Sequence, residues 1–337
     1  MRRLPALSAL AAALVLGLAA CSPELPEPQP DAAPSVLPPA LSTEQLDSIL
    51  ADVAATLEVA DAAATVEEAD AAAAVEALDS RIDGPALQIR SVEYALAGAG
   101  DAEALTPIPS GAQTFVVPAT DTWPRTVMVV TEPPEDLQAP LLLTLVQADP
   151  RSPYELQAWA RLFPGVQTPP TTQPEIGSQP VESDEQTLMT SPEDVVAQYV
   201  DLLTLGAESE YAETFTEDPL RAGIAATKAA FTESASVNGG SLAETYQAAG
   251  AGPYAIATAD GGAIVVGVIE TLTTITLDDS VLTLGDESAV LLGKETVTTS
   301  LAFTWLSVVA FAVPPADSDG PIQVLGAEHS RIRVTGE

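Results

Sequence analysis

Helical periodicity followed by β-rich segments occurs twice along this chain of 337 residues, and that order constrains the fold more than any other feature. The first copy begins at Ser42, which together with Gln45 fits the capping box of a helix N-terminus. Apolar residues then recur on one helical stripe: Leu46, Ile49, Leu50, Val53 and Leu57. Helices that precede a run of strands, rather than alternating with them, predict an α+β fold with an antiparallel sheet.

The rest of the first copy combines a second helix with a series of strands. An Ala-rich stretch over 61–80 predicts that helix, and Asp83-Gly84-Pro85 predicts its end. Residues 86–96 predict a strand or a mixed element. Four β-rich segments separated by turn residues predict a meander: 114–117, 125–131, 141–146 and 154–163.

A linker rich in proline and acidic residues, 168–191, separates the two copies. Ser191 and Pro192 fit the cap and the first position of the next helix. The elements predicted after it are a helix over 218–234 and strands over 254–259, 263–277, 281–284, 289–292, 296–313 and 322–334. We therefore predict two tandem α+β domains, 42–167 and 192–337, each with N-terminal helices packed on a curved antiparallel sheet.

The first 41 residues predict a targeting signal and a linker instead of a folded domain. Met1-Arg2-Arg3 is positively charged, residues 4–16 are largely apolar, and small residues lead up to Cys21, which is the layout of a signal peptide. The apolar run is shorter than the ~20 residues that a membrane-spanning helix needs. Residues 22–41 contain seven prolines and three acidic residues, a composition that favours an extended chain without a core.

Leu18-Ala19-Ala20-Cys21 resembles the lipobox of bacterial lipoproteins. That resemblance implies cleavage after Ala20 and a diacylglyceryl group on the thiol of Cys21, so that 1–20 is the signal peptide and 21–41 a lipidated linker. The alternative is an ordinary signal peptide cut at Ala20, with Cys21 a stray cysteine. The lipobox interpretation predicts a protein held by acyl chains on the extracytoplasmic side of the cell membrane.

The charge and cysteine content exclude several partners and reactions. Forty-eight acidic and twelve basic residues give a net charge of −36, which repels phosphate backbones, so we expect no nucleic-acid partner. The same charge disfavours adsorption to anionic lipid headgroups. Cys21 is the sole cysteine, and once acylated it leaves no thiol for a disulfide, a metal site or a nucleophile.

The residues of common catalytic sites are scarce. The single histidine, His329, alternates with Arg331 and Arg333 on one face of the last predicted strand, and we expect that face to be solvated. The sequence has no Gly-x-Ser-x-Gly, no phosphate loop, no dinucleotide fingerprint and no zinc-ligand set, so we predict no catalytic, cofactor or metal residues. Asp278-Asp279 and Asp317-Ser318-Asp319-Gly320 are predicted to be turns between strands rather than Ca²⁺ sites.

Trp159 and Arg161 are the candidates for a surface contact. Alternation places both on the strand face opposite to Tyr154, Leu156 and Leu162, which form the predicted core face. They would then belong to a contact patch or to the boundary between the two domains. The alternative is that Trp159 covers a curved sheet or stacks on Arg161.

Several stretches resemble an uncharacterised family of actinobacterial lipoproteins. They are Gly84-Pro85-Ala86-Leu87 with Arg90 and Tyr94, Trp123-Pro124-Arg125, residues 154–166 from Tyr154-Glu155-Leu156 onward, and Gly326-Ala327-Glu328-His329. The order of elements also resembles the cystatin-like or nuclear-transport-factor-like cone fold, twice over. These resemblances imply an architecture and a location, and they imply no activity.

We therefore expect a non-enzymatic binding or scaffold lipoprotein of the cell envelope, with an envelope protein or a small apolar ligand as its partner. The alternative is an enzyme that uses carboxylates in a cone pocket, either an envelope glycan hydrolase or a small-molecule isomerase. A third hypothesis is buffering of divalent cations by the abundant carboxylates.

Overall fold

A computed structural model describes residues 37–337 apart from 67–69, 79, 134–137, 238 and 279. The predicted signal peptide, Ala20 and Cys21 therefore lie outside the described residues, as does Asp279. Among the described residues no helix is both long and apolar enough to cross a membrane.

Three helices precede the first strands: α1 (Thr43–Thr65), α2 (Ala71–Leu78) and α3 (Gly84–Gly98). The capping box of α1 is complete, because Ser42 Oγ accepts from the Gln45 amide at 3.3 Å and Gln45 Oε1 accepts from the Ser42 amide at 2.8 Å. The prediction of a strand or mixed element over 86–96 is wrong, because this segment is α3. Its buried face includes the charged Arg90 and Glu93, which an apolar pattern does not count as core.

The remaining elements follow the predicted order with shifted bounds. The first half supplies β1 (Ala112–Val116), β2 (Arg125–Thr131), β3 (Leu141–Gln147) and β4 (Glu155–Leu162). The second half supplies α4 (Pro192–Leu205), α5 (Pro219–Val237), β5 (Ser241–Ala257), β6 (Ala263–Thr276), β7 (Leu282–Thr283), α6 (Asp286–Leu292), β8 (Thr296–Val297), β9 (Ser300–Val313) and β10 (Gln323–Gly336). The strand predicted at 289–292 is wrong, since those residues end α6.

One antiparallel sheet contains strands from both halves, in the order β1-β2-β3-β4-β10-β9-β6-β5, and it curls so that β2 also contacts β5. The predicted α+β class is confirmed. The expectation of a separate sheet for each half is wrong, because β10 pairs with β4 through Gly326 opposite Leu162 and Ala327 opposite Arg161. Residues 37–337 accordingly form one compact unit.

The sheet separates the apolar core on one face from two cores on the other. Along β9, Leu306, Val308 and Ala310 join the core that α1, α2 and α3 cover. Val309 and Phe311 point to the opposite face, where α4 and the first part of α5 cover a second core. A third core beneath the end of α5 contains Phe303, Leu301 and Ile275. Helices thus pack against both faces of the sheet.

Candidate functional site

A cavity of about 750 Å³, the first cavity, lies between the end of α4, the first half of α5 and β5. Its apolar lining includes Leu202, Leu203, Leu205, Ala222, Ile224 and Ala225. The charged and phenolic side chains that reach it are Glu217, Asp218, Arg221, Lys228 and Tyr246. Sites for small molecules are typically about 300–1,000 Å³ and largely apolar, with a few polar groups that fix orientation. The first cavity has that size and that composition.

Asp218 fixes Arg221 at the wall of the first cavity. As the residue before α5, Asp218 accepts from the amide of Arg221 at 2.9 Å and from its Nε at 2.7 Å, and from the hydroxyl of Tyr199 at 3.0 Å. The side chain of Asp218 is 1 % exposed. Nη2 of Arg221 donates to the carbonyl of Thr216 at 2.5 Å. Nη1 takes no part in these bonds, and Arg221 lines the first cavity.

Lys228 and Tyr246 line the first cavity beside a buried carboxylate, that of Glu244. Glu244 accepts from the Tyr246 hydroxyl at 2.7 Å and from the hydroxyl of Thr273 at 3.0 Å, and it lies 3.3 Å from Nζ of Lys228. Burial and the hydrogen bond to Glu244 raise the pKa of Tyr246. Two basic side chains, Arg221 and Lys228, and two acidic ones, Glu217 and Asp218, line the first cavity, so their formal charges balance.

A row of polar and aromatic side chains crosses four strands of the sheet. Tyr246 of β5, Thr271 of β6, Trp305 of β9 and Arg331 of β10 are register partners in one row across four strands. This row lies between the second and third apolar cores. A sheet face covered by a helix is normally apolar, so polar residues in this row are unusual. Tyr246, at one end of this row, lines the first cavity.

His329 is half-buried, so the prediction of a solvated strand face is wrong. Its ring stacks on Trp305 with centroids 4.9 Å apart, and Nδ1 is 2.8 Å from the hydroxyl of Ser307. Burial lowers the pKa of His329 to about 4, so the ring is neutral at pH 7. Ser307 is completely buried and cannot contact a substrate. The two side chains form a structural contact between neighbouring strands.

Trp159 is completely buried, so its prediction as a surface residue is wrong. Its strand, β4, is flanked by β3 and β10, and α3 packs against both β4 and β10. Arg161 is half-buried, donates to the carbonyl of Ala139 at 3.1 Å and is the register partner of Ala327. We call this meeting point of α3, β4 and β10 the junction. Three of the stretches that carry the family resemblance lie on these elements.

A buried ion pair stabilises α3 within the junction. Nη1 of Arg90 donates to Glu93 at 2.6 Å and to the carbonyl of Thr106 at 3.0 Å, and the Thr106 hydroxyl donates to Glu93 at 2.6 Å. Burial raises the pKa of Glu93, and Arg90 opposes that shift. Burial also raises the pKa of Glu328, against the opposing effects of Ser330, Arg161 and Trp159. Neither carboxyl lines the first cavity.

Sequence reasoning missed most of the cavity residues. The predicted helix start at Asp218-Pro219 was the available signal for the buried Asp218, because a capping carboxylate often binds nearby amides. Glu244 gave no signal, since it is one of 48 acidic residues. Lys228 is one of two lysines, and the sequence does not show that it lies near Glu244 of β5.

The fold and the cavity define an α+β protein whose helices enclose a largely apolar site against one long sheet. A family model described as a domain of unknown function, DUF8094, matches residues 39–336. The match covers most of the chain, which therefore belongs to the DUF8094 family. The comparisons with curated proteins and with solved structures found no match.

Proposed function

We propose that this protein is a lipid-anchored, extracytoplasmic binding protein that holds a small amphipathic molecule in the first cavity without transforming it chemically. The first cavity itself, with about 750 Å³ and a mostly apolar lining, is the observation that carries this proposal. Arg221 and Lys228 give the cavity a polar side, which suits a ligand with an apolar body and a polar end. The cystatin-like or nuclear-transport-factor-like resemblance and an envelope protein as a further partner belong to the same proposal.

Ligand binding is tested with two neighbouring alanines of α5. Ala225 lines the first cavity and Ala226 does not, although both are exposed positions of the same helix. The neutral fluorescent probe N-phenyl-1-naphthylamine should bind the protein after removal of bound lipid. Ala225→Trp should weaken that binding at least tenfold because the indole fills the cavity, whereas Ala226→Trp should leave it unchanged. Equal affinities for both variants would show that the probe does not occupy this cavity.

The anchor is tested at the predicted lipobox. Cys21→Ala should release the protein from cells into the medium, because two acyl chains are needed for durable membrane attachment. Ser22→Ala is the matched control and should stay with the membrane fraction. Retention of the Cys21→Ala protein in that fraction would contradict the lipobox interpretation.

The enzyme alternative requires a carboxyl of raised pKa beside a bound substrate. Among the described residues, Glu93 and Glu328 are the carboxyls whose pKa is raised. Both belong to the junction, away from the first cavity, and Glu93 is held by Arg90. Of the two carboxylates that line the cavity, Asp218 is already bound by Arg221 and Tyr199, and Glu217 is exposed to solvent. These positions favour binding over catalysis.

A further inference from the structure

A second cavity, of about 450 Å³, lies between the last part of α5, α6 and the sheet. The side chains that give it an apolar wall are Phe231, Ile275, Leu282, Leu284, Leu301 and Phe303. Lys228 lines the first cavity and Phe231 lines the second, so the two cavities lie on either side of one turn of α5. The lining of the second cavity also includes a basic residue, Arg331.

Arg331 is largely buried and incompletely paired. Its side chain is 13 % exposed, and its guanidinium lies 4.8 Å from the ring centre of Phe303 and 4.7 Å from that of Trp305. Nη1 donates to the hydroxyl of Ser288 at 2.7 Å. Nη1 also forms an ion pair with a carboxylate oxygen of Glu287, 3.4 Å away. The side chain of Glu287 is 46 % exposed. Nε is buried, and among the described residues no atom accepts its hydrogen.

A buried guanidinium with a weak counter-ion is electrostatically undercompensated. Removing a charge from water is costly unless a close partner and hydrogen bonds replace the water. An ion pair with a half-exposed carboxylate contributes little, because water and salt screen it. The two aromatic faces compensate for only part of the lost hydration. A negatively charged group in the second cavity would supply the missing partner. Burial lowers the pKa of Arg331, and such a group would oppose that shift.

We propose that the second cavity binds an organic anion, whose carboxylate pairs with Arg331 and whose short apolar chain packs against Phe231, Phe303 and the neighbouring leucines. Asp286 and Glu287 also line the second cavity, and their side chains are exposed. Because Glu287 lies 3.4 Å from Arg331, it competes with the anion for the guanidinium. This site is distinct from the first cavity and does not depend on the function proposed for that cavity.

Isothermal titration calorimetry with decanoate and with decan-1-ol tests the charge requirement. Decanoate should bind more tightly than decan-1-ol, and Arg331→Gln should weaken decanoate binding at least tenfold. Arg333→Gln is the matched control, because Arg333 is exposed on the same strand two residues further on, and it should bind like the parent protein. Equal affinity of Arg331→Gln and the parent protein for decanoate, or of the parent protein for decanoate and decan-1-ol, would overturn the proposal.

A second variant covers the case in which Arg331→Gln does not fold. Gly285 lines the second cavity. Its φ of −72° is allowed for any residue, and a Cβ placed on it would meet no atom within 4 Å. Gly285→Trp should therefore fold, block the cavity and abolish decanoate binding while Arg331 remains. Gly223→Trp, at an equally open position on α5, is its control. If Gly285→Trp binds decanoate normally and Ala225→Trp does not, the anion occupies the first cavity and the proposal is wrong.

Discussion

Arg90 and Glu93 lie one turn apart on α3, and together they show what burial does to an ion pair. Their closest atoms are 2.6 Å apart, and the side chain of Arg90 is only 1 % exposed. Arg81 and Asp52 form a pair of nearly the same length, 2.7 Å, but their side chains are 24 % and 52 % exposed. The two pairs differ in solvent access more than in geometry, so removal of the arginine should have different costs.

We predict that Arg90→Met lowers the free energy of unfolding by about 3–5 kcal/mol, because Glu93 is left buried without its counter-ion. Arg81→Met, the surface control, should cost no more than about 1 kcal/mol. Urea denaturation followed by circular dichroism measures both. Equal losses for the two variants would mean that burial does not determine the contribution of the Arg90 pair.

The single histidine offers a direct measure of burial within the sheet. Because burial lowers the pKa of His329 to about 4, its one imidazole Hε1 signal in the NMR spectrum should titrate near pH 4 in the folded protein. In urea the same signal should titrate near the ordinary value of about 6.5. Since the unfolded chain takes up the proton first, folding stability from this residue is present above about pH 6.5 and is lost as the pH falls towards 4. A folded-state pKa near 6.5 would contradict the half-buried position of the ring against Trp305.

At the scale of elements, the sequence predicted helices with clear caps and stripes and failed where buried residues are charged. The α1 helix was predictable because Ser42, Gln45 and the leucine stripe agree. The α3 helix was mistaken for a strand or mixed element because its buried face includes Arg90 and Glu93. The packing of α4 against β6 was not predictable either, because it depends on the absence of a side chain at Gly267, where a Cβ would collide with Val196.

That contact gives a prediction about how α4 packs on the sheet. Gly267→Ala should destabilise the protein by about 1–3 kcal/mol, because β-branched Val196 has no room to withdraw. In the Gly267→Ala background, Val196→Ala should recover part of the lost stability. A double-mutant cycle measured by urea denaturation would detect this recovery as a coupling energy between the two positions. Gly223→Ala, on α5 with no atom nearby, is the control and should stabilise slightly. Strictly additive losses of unfolding free energy for the two substitutions would show that positions 196 and 267 are not coupled.

At the scale of the whole molecule, local patterns predict strands but do not say which strand edges pair. The sequence therefore predicted α+β halves in the right order, yet not their single sheet. The pairing of β4 with β10 requires the backbone of Gly326 to approach the carbonyl of Arg161 more closely than a side chain would permit. The candidate site was hidden for the same reason, because the first cavity is formed by residues of α4, α5 and β5 that only the tertiary fold brings together.

We predict that residues 37–337 unfold in one transition and that Gly326→Ala lowers its midpoint for both halves together. Far-ultraviolet circular dichroism and tryptophan fluorescence should report coincident curves, since Trp159 and Trp305 belong to opposite halves of one sheet. Gly320→Ala, in the loop between β9 and β10, is the control and should change little, because a Cβ there makes only an ordinary contact. Two separate transitions, one of them unaffected by Gly326→Ala, would show that the halves are independent.

The position of β10 has a consequence for the timing of folding. It is the last strand along the sequence, but it lies between β4 and β9, and roughly 160 residues separate it from β4. The eight-stranded sheet cannot be completed until β10 has formed between β4 and β9. Non-local pairing of this kind is slow to form. The order of strands thus leaves the facing edges of β4 and β9 unpaired until β10 inserts between them.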